Sequence, residues 1–412
     1  MQSFFRIKES EILQSLVFMF LLTIVTTALK QPFSLYSIFV IEEKFGFNKQ
    51  TLGLYLKDEL KTFGLTIVIG FPVTAVILWV IQIAGVNAWF YVWICLVLFS
   101  LVMLLLYPTV IVMSFQLFTL TFLFTSPLFF FKKKAPLFNK FTPLAPGNLR
   151  DSIMEICKNS GFKQVFVVDA STRSSHSNAY FFGFFCIKRI VLYDTLIKQM
   201  KKTSDPLEEA REENKGEKKI DSLEDISVKS VEENLEMYEN EEIEKVPASL
   251  RKKIEILRKG NQDIVAVMAH ELGHYQLSHN LKGMVIGWTQ MLAFFWLFSK
   301  MVHDKNVYAS FGFHTQPAFI GLILFSLLYS PVDHLLGFLM NVLTRRFEYE
   351  ADKFATVDKK KDLRDALIKL HLENLSNMIV DSWYSSYHFS HPHLLERLKA
   401  IEQLRETIQK KD

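Results

Sequence analysis

The chain has 412 residues, a formal net charge of +4, half of its residues hydrophobic and 22% charged. So small a charge excludes the basic footprint of a nucleic-acid-binding protein. Three scattered cysteines, Cys95, Cys157 and Cys186, exclude a disulfide framework or a thiolate metal quartet.

The apolar runs place the chain in the membrane class, since a spanning helix needs about 20 largely apolar residues. Residues 12–29 meet that requirement. The acidic residues before them and the lack of a small-residue cleavage site argue against a removable signal peptide. Runs 63–85, 88–107 and 110–131 follow, the last closed by Lys132, Lys133 and Lys134. Two further runs lie late, at 284–301 and 317–343. Within the last, Asp333 and His334 are expected to line a wet cavity, as intramembrane ionisable groups do.

Between the early and late runs, residues from 138 to about 260 read as a soluble domain. Stretches 164–169 and 178–193 carry the β-branched and aromatic residues of strands. The second is long enough for two strands, with a turn expected at Lys188-Arg189. Residues 201–246 are rich in Glu, Lys, Asp and Ser and cannot bury a core, so a solvated, partly disordered loop is expected there. Residues 361–412 read as charged helix interrupted at 385–392. The chain thus divides into membrane helices over 1–134, a strand-containing domain over 135–281, two membrane helices over 282–343 and a helical C-terminal part over 344–412.

The sharpest motif is His270-Glu271-Leu272-Gly273-His274. On a helix, positions i and i+4 share a face, so both imidazoles reach one ion, while Glu271 stands beside the water that the ion activates. Zinc suits this arrangement because it lowers a water's pKa to about 7. The metzincin extension is excluded, since Leu277 and Asn280 stand where glycine and a third histidine belong. The third ligand is then expected from a glutamate on a later helix, the gluzincin solution. Glu348 supplies it, with Asp352 one turn on to orient a ligand histidine. Glu350 is the rival ligand, but it differs from Glu348 in helical phase by about 200°, so only one of them faces the metal.

With these residues in view, the sequence resembles the eukaryotic type I CaaX prenyl endopeptidase family. The matching blocks are 34–47 (SLYSIFVIEEKFGF), 50–58 (QTLGLYLKD), 141–144 (FTPL), 174–185 (SSHSNAYFFGFF), 189–196 (RIVLYDTL), the HELGH block, RRFEYEADKFA and 388–398 (HFSHPHLLERL). The resemblance implies a mainly α fold: a multi-spanning helical chamber with a gluzincin-like zinc domain carrying a small β-sheet. It implies one zinc ion per chain and removal of the last three residues from prenylated CaaX proteins. The implied setting is the endoplasmic reticulum membrane, with the inner nuclear membrane as a second location. The partners it implies are prenylated peptides and lipid, with no nucleic acid.

On the same resemblance, Asn178, on an expected edge strand, holds the substrate backbone, and His391 and Arg397 line the active site. His391 is suited to an oxyanion, and Arg397 to a substrate carboxylate or a neighbouring side chain. His176, His279, His388 and His393 are expected to be structural or surface groups. Two departures from the family are expected: the two spanning helices ahead of the block near Ile12 are missing, and 109–134 is an apolar insert. Two rival functions stay open. A broad quality-control zinc protease would also cut unprenylated peptides, and a catalytically weak membrane scaffold would bind zinc without turnover.

Overall fold

The computed structural model describes residues 10–106, 139–182, 188–201, 248–358, 363–377 and 379–410. These fall into two compact units. The expected run at 110–131 and almost all of the charged 201–246 segment lie outside the described residues.

The first unit takes in residues 1–111, 172–174 and 280–339. Helix α1 (Glu11–Tyr36) starts on Ser10, whose hydroxyl accepts from the Leu13 amide, and runs on through a wide turn of π-helix to Glu42. It therefore continues well beyond the apolar run 12–29 that announced it. Helix α2 (Leu52–Leu65), capped by Thr51, passes through another π turn into α3 (Phe71–Ala84). The expected run 63–85 is thus the second half of a longer rod. Gly85 then takes φ +54°, a backbone state that stops a helix and that glycine adopts freely. Helix α4 (Ala88–Leu106) follows at once.

Residues 280–301 and 318–339 of two late helices complete this unit. These helices are α8 (His279–Met301) and α10 (Ala318–Lys353), with the short α9 (Lys305–Ser310) between them. Among the described residues, four helical stretches are long and apolar enough to cross a membrane: Glu11–Glu42, Leu52–Leu104, His279–Met301 and Ala318–Val357. Large apolar side chains such as Val25, Trp79 and Leu98 are exposed on them, as lipid-facing residues are. Val80, Val92, Phe295, Phe298 and Phe325 form a buried seam where α3, α4, α8 and α10 meet. Polar ties cross it, with the Trp93 indole donating to the Trp288 carbonyl at 2.8 Å. Asp333 and His334 are exposed on α10.

The second unit takes in residues 112–171, 175–279 and 340–412, so the strand region and the C-terminal part share one core. Its sheet has four strands in the order β1-β2-β4-β3: β1 (Phe141–Pro143), β2 (Val165–Val168), β3 (Ala179–Phe182) and β4 (Arg189–Tyr193). β2 and β4 run parallel, and the other pairs are antiparallel. The expected turn at Lys188-Arg189 runs one residue too far. Arg189 already pairs with Phe182 inside the sheet, and the Lys188 ammonium folds back to the Ser160 carbonyl at 2.9 Å. Lys188 lies in the connection between β3 and β4, so the expected break holds at Lys188 and fails only at Arg189.

Helix α5 (Asn148–Ile156) and helix α6 (Asp194–Met200) pack beside helix α7 (Ala248–Gln276), which carries the HELGH motif. Ile264, Val265, Met268 and Leu272 recur at helical spacing and are buried. Each such side chain contributes roughly 1.5–3 kcal/mol by burial. They share a core with Ile190 and Leu192 of β4, with α11 (Leu363–Glu373) and with α13 (Leu394–Gln409). The C-terminal interruption expected at 385–392 is displaced, because Asp381 caps a short α12 (Ser382–His388) through the Trp383 and Tyr384 amides. The non-helical stretches among the described residues are 374–377, 379–381 and 389–393.

Gly260 is where α7 meets the end of α6. A Cβ there would lie 2.4 Å from the Met200 carbonyl oxygen, and backbone cannot step aside as a side chain can. Gly260→Ala is expected to destabilise the second unit by about 1–3 kcal/mol. Thermal unfolding in detergent, followed against an alanine change on an exposed helix face, measures this.

Candidate metal centre

Helix α7 presents His270 and His274 one turn apart, and α10 brings Glu348 opposite them. The close approach of the two helices depends on Gly273, between the two histidines. A Cβ there would come within 3.0 Å of the Ala351 Cα and 3.2 Å of the Ala351 carbonyl oxygen. With hydrogen at that position, ligating atoms of His270, His274 and Glu348 gather within 4.8 Å of one another.

The finer geometry is that of a cation cage. His270 Nε2 and His274 Nε2 are 3.2 Å apart. His274 Nε2 lies 3.2 Å from Glu348 Oε1, and His270 Nε2 lies 3.5 Å from Glu348 Oε2. Tetrahedral ligands held about 2.1 Å from zinc are separated by roughly 3.4 Å. Glu348 is buried, and its Oε2 has no hydrogen-bond donor among the described residues. A buried carboxylate oxygen without a donor facing two imidazole nitrogens is costly unless a cation lies between them. The donor set and its spacing therefore fit a metal ion.

Around the three sit the other expected residues. Asp352 is buried, with Oδ1 2.8 Å from His270 Nδ1, so the ring nitrogen turned away from the cluster meets a carboxylate. Arg397 is also buried, and its fork is occupied by Asp352: Nε donates to Oδ2 at 2.9 Å and Nη2 to Oδ1 at 2.6 Å. Its Nη1 approaches Glu348 Oε2 at 3.6 Å. His391, largely exposed, brings Nδ1 to 2.9 Å from Glu348 Oε1. Asn178 is exposed just ahead of β3, where its own carbonyl accepts from the Tyr193 amide at 3.0 Å. β3 pairs with β4 alone and is the sheet edge among the described residues. That edge lies beside α7, since Phe181 and Tyr275 both pack edge-on to Phe162.

Burial raises the Glu271 carboxyl above the ordinary glutamate range, against the opposing pull of His270 and His274. For His270, burial disfavours the cation. The hydrogen bonds to Asp352 and Glu348 outweigh it, and the metal-free imidazole is pushed up to about 9.

Two residues that the sequence did not single out belong to this site. Arg345 is buried and ties Ser385 Oγ, the His391 carbonyl and Glu396 together, so it fixes the loop that carries His391. His279, expected to be structural or at the surface, is buried with its ring on His274 and Glu350. Its signal was a histidine five residues after His274, which counts only once a sharp helix junction turns it back. The other histidines are elsewhere engaged. His176 meets Asn374, His388 packs on Tyr384, and His393 precedes α13 beside Glu396.

Known proteins resemble the chain over most of its length. The family described as CAAX prenyl protease N-terminal, five membrane helices, matches residues 1–117, and peptidase family M48 matches 143–405. The human CAAX prenyl protease 1 homolog is 39% identical over 97% of this chain and 75% of its own length. The chain belongs to the CAAX prenyl protease 1 family. The Saccharomyces cerevisiae CAAX prenyl protease 1 is 31% identical over 96% of the chain and 74% of its own length. The crystal structure of S. mikatae Ste24p, 31% identical, matches with a TM-score of 0.69 over 94% of this chain and 75% of that one. Family membership, membrane-length helices and the His-His-Glu cluster together make this a membrane zinc metalloendopeptidase.

The ligand assignment separates two neighbouring glutamates. Glu348→Ala is expected to yield purified protein with little bound metal, whereas Glu350→Ala keeps one ion per chain, because no Glu350 atom enters the cluster. Metal analysis of both decides it, and the reverse result would transfer the ligand role to Glu350. A pH dependence follows from His270. Its folded pKa of about 9 lies above the free value of 6.5, so the stabilisation is complete below pH 6.5 and is lost as pH rises through 9. Chelator-stripped protein should therefore unfold at lower temperature at pH 9.5 than at pH 6.5. Zinc-loaded protein should lack this His270 contribution, since both states of the comparison then hold the imidazole neutral.

Proposed function

We propose that the chain removes the C-terminal tripeptide from prenylated CaaX proteins, with zinc held by His270, His274 and Glu348. The observation that carries this reading is the ligand cluster with Glu271 in its midst and an open strand edge alongside. The names of the relatives supply the substrate class.

Zinc at this cluster supplies the Lewis acidity that brings a water's pKa to about 7. The remaining work falls to side chains. The peptide lies extended along β3 and adds to the sheet by main-chain hydrogen bonds, and the Asn178 amide holds its backbone. Glu271 accepts a proton from the attacking water and returns it to the departing amine. Burial raises its pKa, which makes it a stronger proton acceptor than an exposed glutamate. His391 donates to the scissile carbonyl oxygen as negative charge gathers there, and its exposed ring has room to turn from Glu348 to that oxygen. Asp352 orients His270, and Arg397 holds Asp352 while lending positive charge to the site. The endoplasmic reticulum membrane, with the inner nuclear membrane as a second location, is the setting that goes with this substrate class.

The test uses the detergent-purified full chain with a farnesylated CaaX peptide and its unprenylated counterpart, with and without a chelator. Tripeptide release confined to the farnesylated peptide and abolished by chelation is the expected result. Equal cleavage of both peptides would replace this reading with a broad protease, and zinc without turnover would replace it with a scaffold. Glu271→Gln keeps every metal ligand and loses the proton acceptor. It is expected to retain zinc and lose roughly 10²- to 10⁴-fold in kcat; a near-normal rate would remove Glu271 from the chemistry.

A further inference from the structure

Each ligand histidine has a second ring nitrogen, and the two are backed differently. His270 Nδ1 meets Asp352 directly at 2.8 Å. His274 Nδ1 meets no carboxylate among the described residues. It lies 3.0 Å from His279 Nδ1, and His279 Nε2 lies 3.1 Å from Glu350 Oε2.

The His279 ring is held for this purpose on every side. It is stacked on Phe347, with centroids 4.3 Å apart and planes 7° from parallel. It is buried. It follows Ser278, whose φ of +57° lies in the two-residue turn, Leu277-Ser278, between α7 and the start of α8 at His279. A left-handed serine costs about 1 kcal/mol relative to an ordinary turn residue. That conformation points His279 back at His274 instead of onward along α8.

Glu350 is reached this way because of helical phase. Glu348 and Asp352 are one turn apart and share a face of α10, whereas Glu350 differs from both by about 200°. It cannot touch a ligand histidine directly, and an interposed imidazole spans the gap. Arg346 holds the other carboxylate oxygen of Glu350 at 3.0 Å, which fixes the far end.

We propose that His279 and Glu350 form a positioning relay for the second metal-ligand histidine: His274 Nδ1–H donates to His279 Nδ1, and His279 Nε2–H donates to Glu350. The relay fixes the tautomer of His274 so that Nε2 keeps its lone pair toward the metal, and it orients the ring. One helix, α10, thereby provides a ligand and the carboxylates behind both histidines, one directly and one through a ring. The inference rests on the zinc assignment of the site.

The experiment loads the full-length protein with zinc or cobalt(II) in detergent and measures zinc transfer to a chromogenic chelator, together with the cobalt visible spectrum. His279→Phe keeps the ring stacked on Phe347 and removes both nitrogens. Glu350→Ala removes the terminal acceptor from a half-exposed site, where misfolding is not a concern, and Glu350→Gln restores an acceptor. Loss of an outer partner of a ligand histidine typically weakens metal binding 10- to 100-fold. His279→Phe and Glu350→Ala are therefore expected to release zinc about 10- to 100-fold faster and to shift the cobalt bands, with Glu350→Gln recovering most of the loss. If His279→Phe fails to fold, the Glu350 pair decides alone. Wild-type release and an unchanged cobalt spectrum in Glu350→Ala would overturn the relay. A wild-type chain that binds neither metal would instead overturn the site assignment on which it rests.

Discussion

The constraint on which the site depends is the burial of Glu348. A carboxylate inside protein must be paired, and one left half-satisfied costs several kcal/mol. Here one oxygen lies against His274 Nε2 and His391 Nδ1, and the other has no hydrogen-bond partner among the described residues. Two ring nitrogens that would otherwise repel each other at 3.2 Å face that carboxylate. The surrounding structure holds this unfavourable grouping in place. Gly273 lets the two helices approach, Asp352 and Arg397 lock His270 from behind, and Arg345 pins the loop bearing His391. Such preorganisation has a purpose only when a cation completes the set, and the energy it costs is recovered on binding.

Much of this was legible in the sequence, for identifiable reasons. HExxH puts two imidazoles on one helical face, phase lets only one of Glu348 and Glu350 join them, and Glu348 was preferred because Asp352 stands one turn beyond it. The first two points use only the α-helical repeat, which tertiary packing does not alter. β2, β3 and β4 were visible because Val, Ile, Phe and Tyr crowd those stretches. β1 was not, since its residues Phe-Thr-Pro are too short a run to signal a strand and become one only by pairing with β2.

The misreadings share one cause, which is that composition was read where contacts decide. Lys188-Arg189 looked like a turn, yet the sheet already includes Arg189. The stretch 385–392 looked like a break, yet the Asp381 cap makes Ser382–His388 helical. The first spanning helix outran its apolar run because helical hydrogen bonding continues into 30–42 even where charge appears, a region that hydropathy alone cannot claim. His279 is the clearest case. Nothing in its neighbourhood marks it, and its place depends on the left-handed backbone of Ser278, a property that no side-chain pattern carries.

Charge balance ties the metal to the rest of the buried set. Glu271, Glu348 and Asp352 bring three carboxylates, and Arg397 brings one guanidinium, so with neutral imidazoles two negative charges remain. Without a metal, burial disfavours the His270 cation, but Asp352 and Glu348 outweigh it and raise its pKa to about 9. A divalent cation removes the excess fully, which a single proton cannot do. Replacing Arg397 by a neutral residue would leave Asp352 buried without its guanidinium partner, raise the Asp352 pKa and weaken its hold on His270. Arg397 therefore belongs to the metal site electrostatically although it touches no ligating atom closely. Glu350 stands apart, half-exposed and paired with Arg346, so its charge is already answered before it reaches the cluster. That separation lets it serve His274 through His279 without adding a further negative charge to the cluster itself.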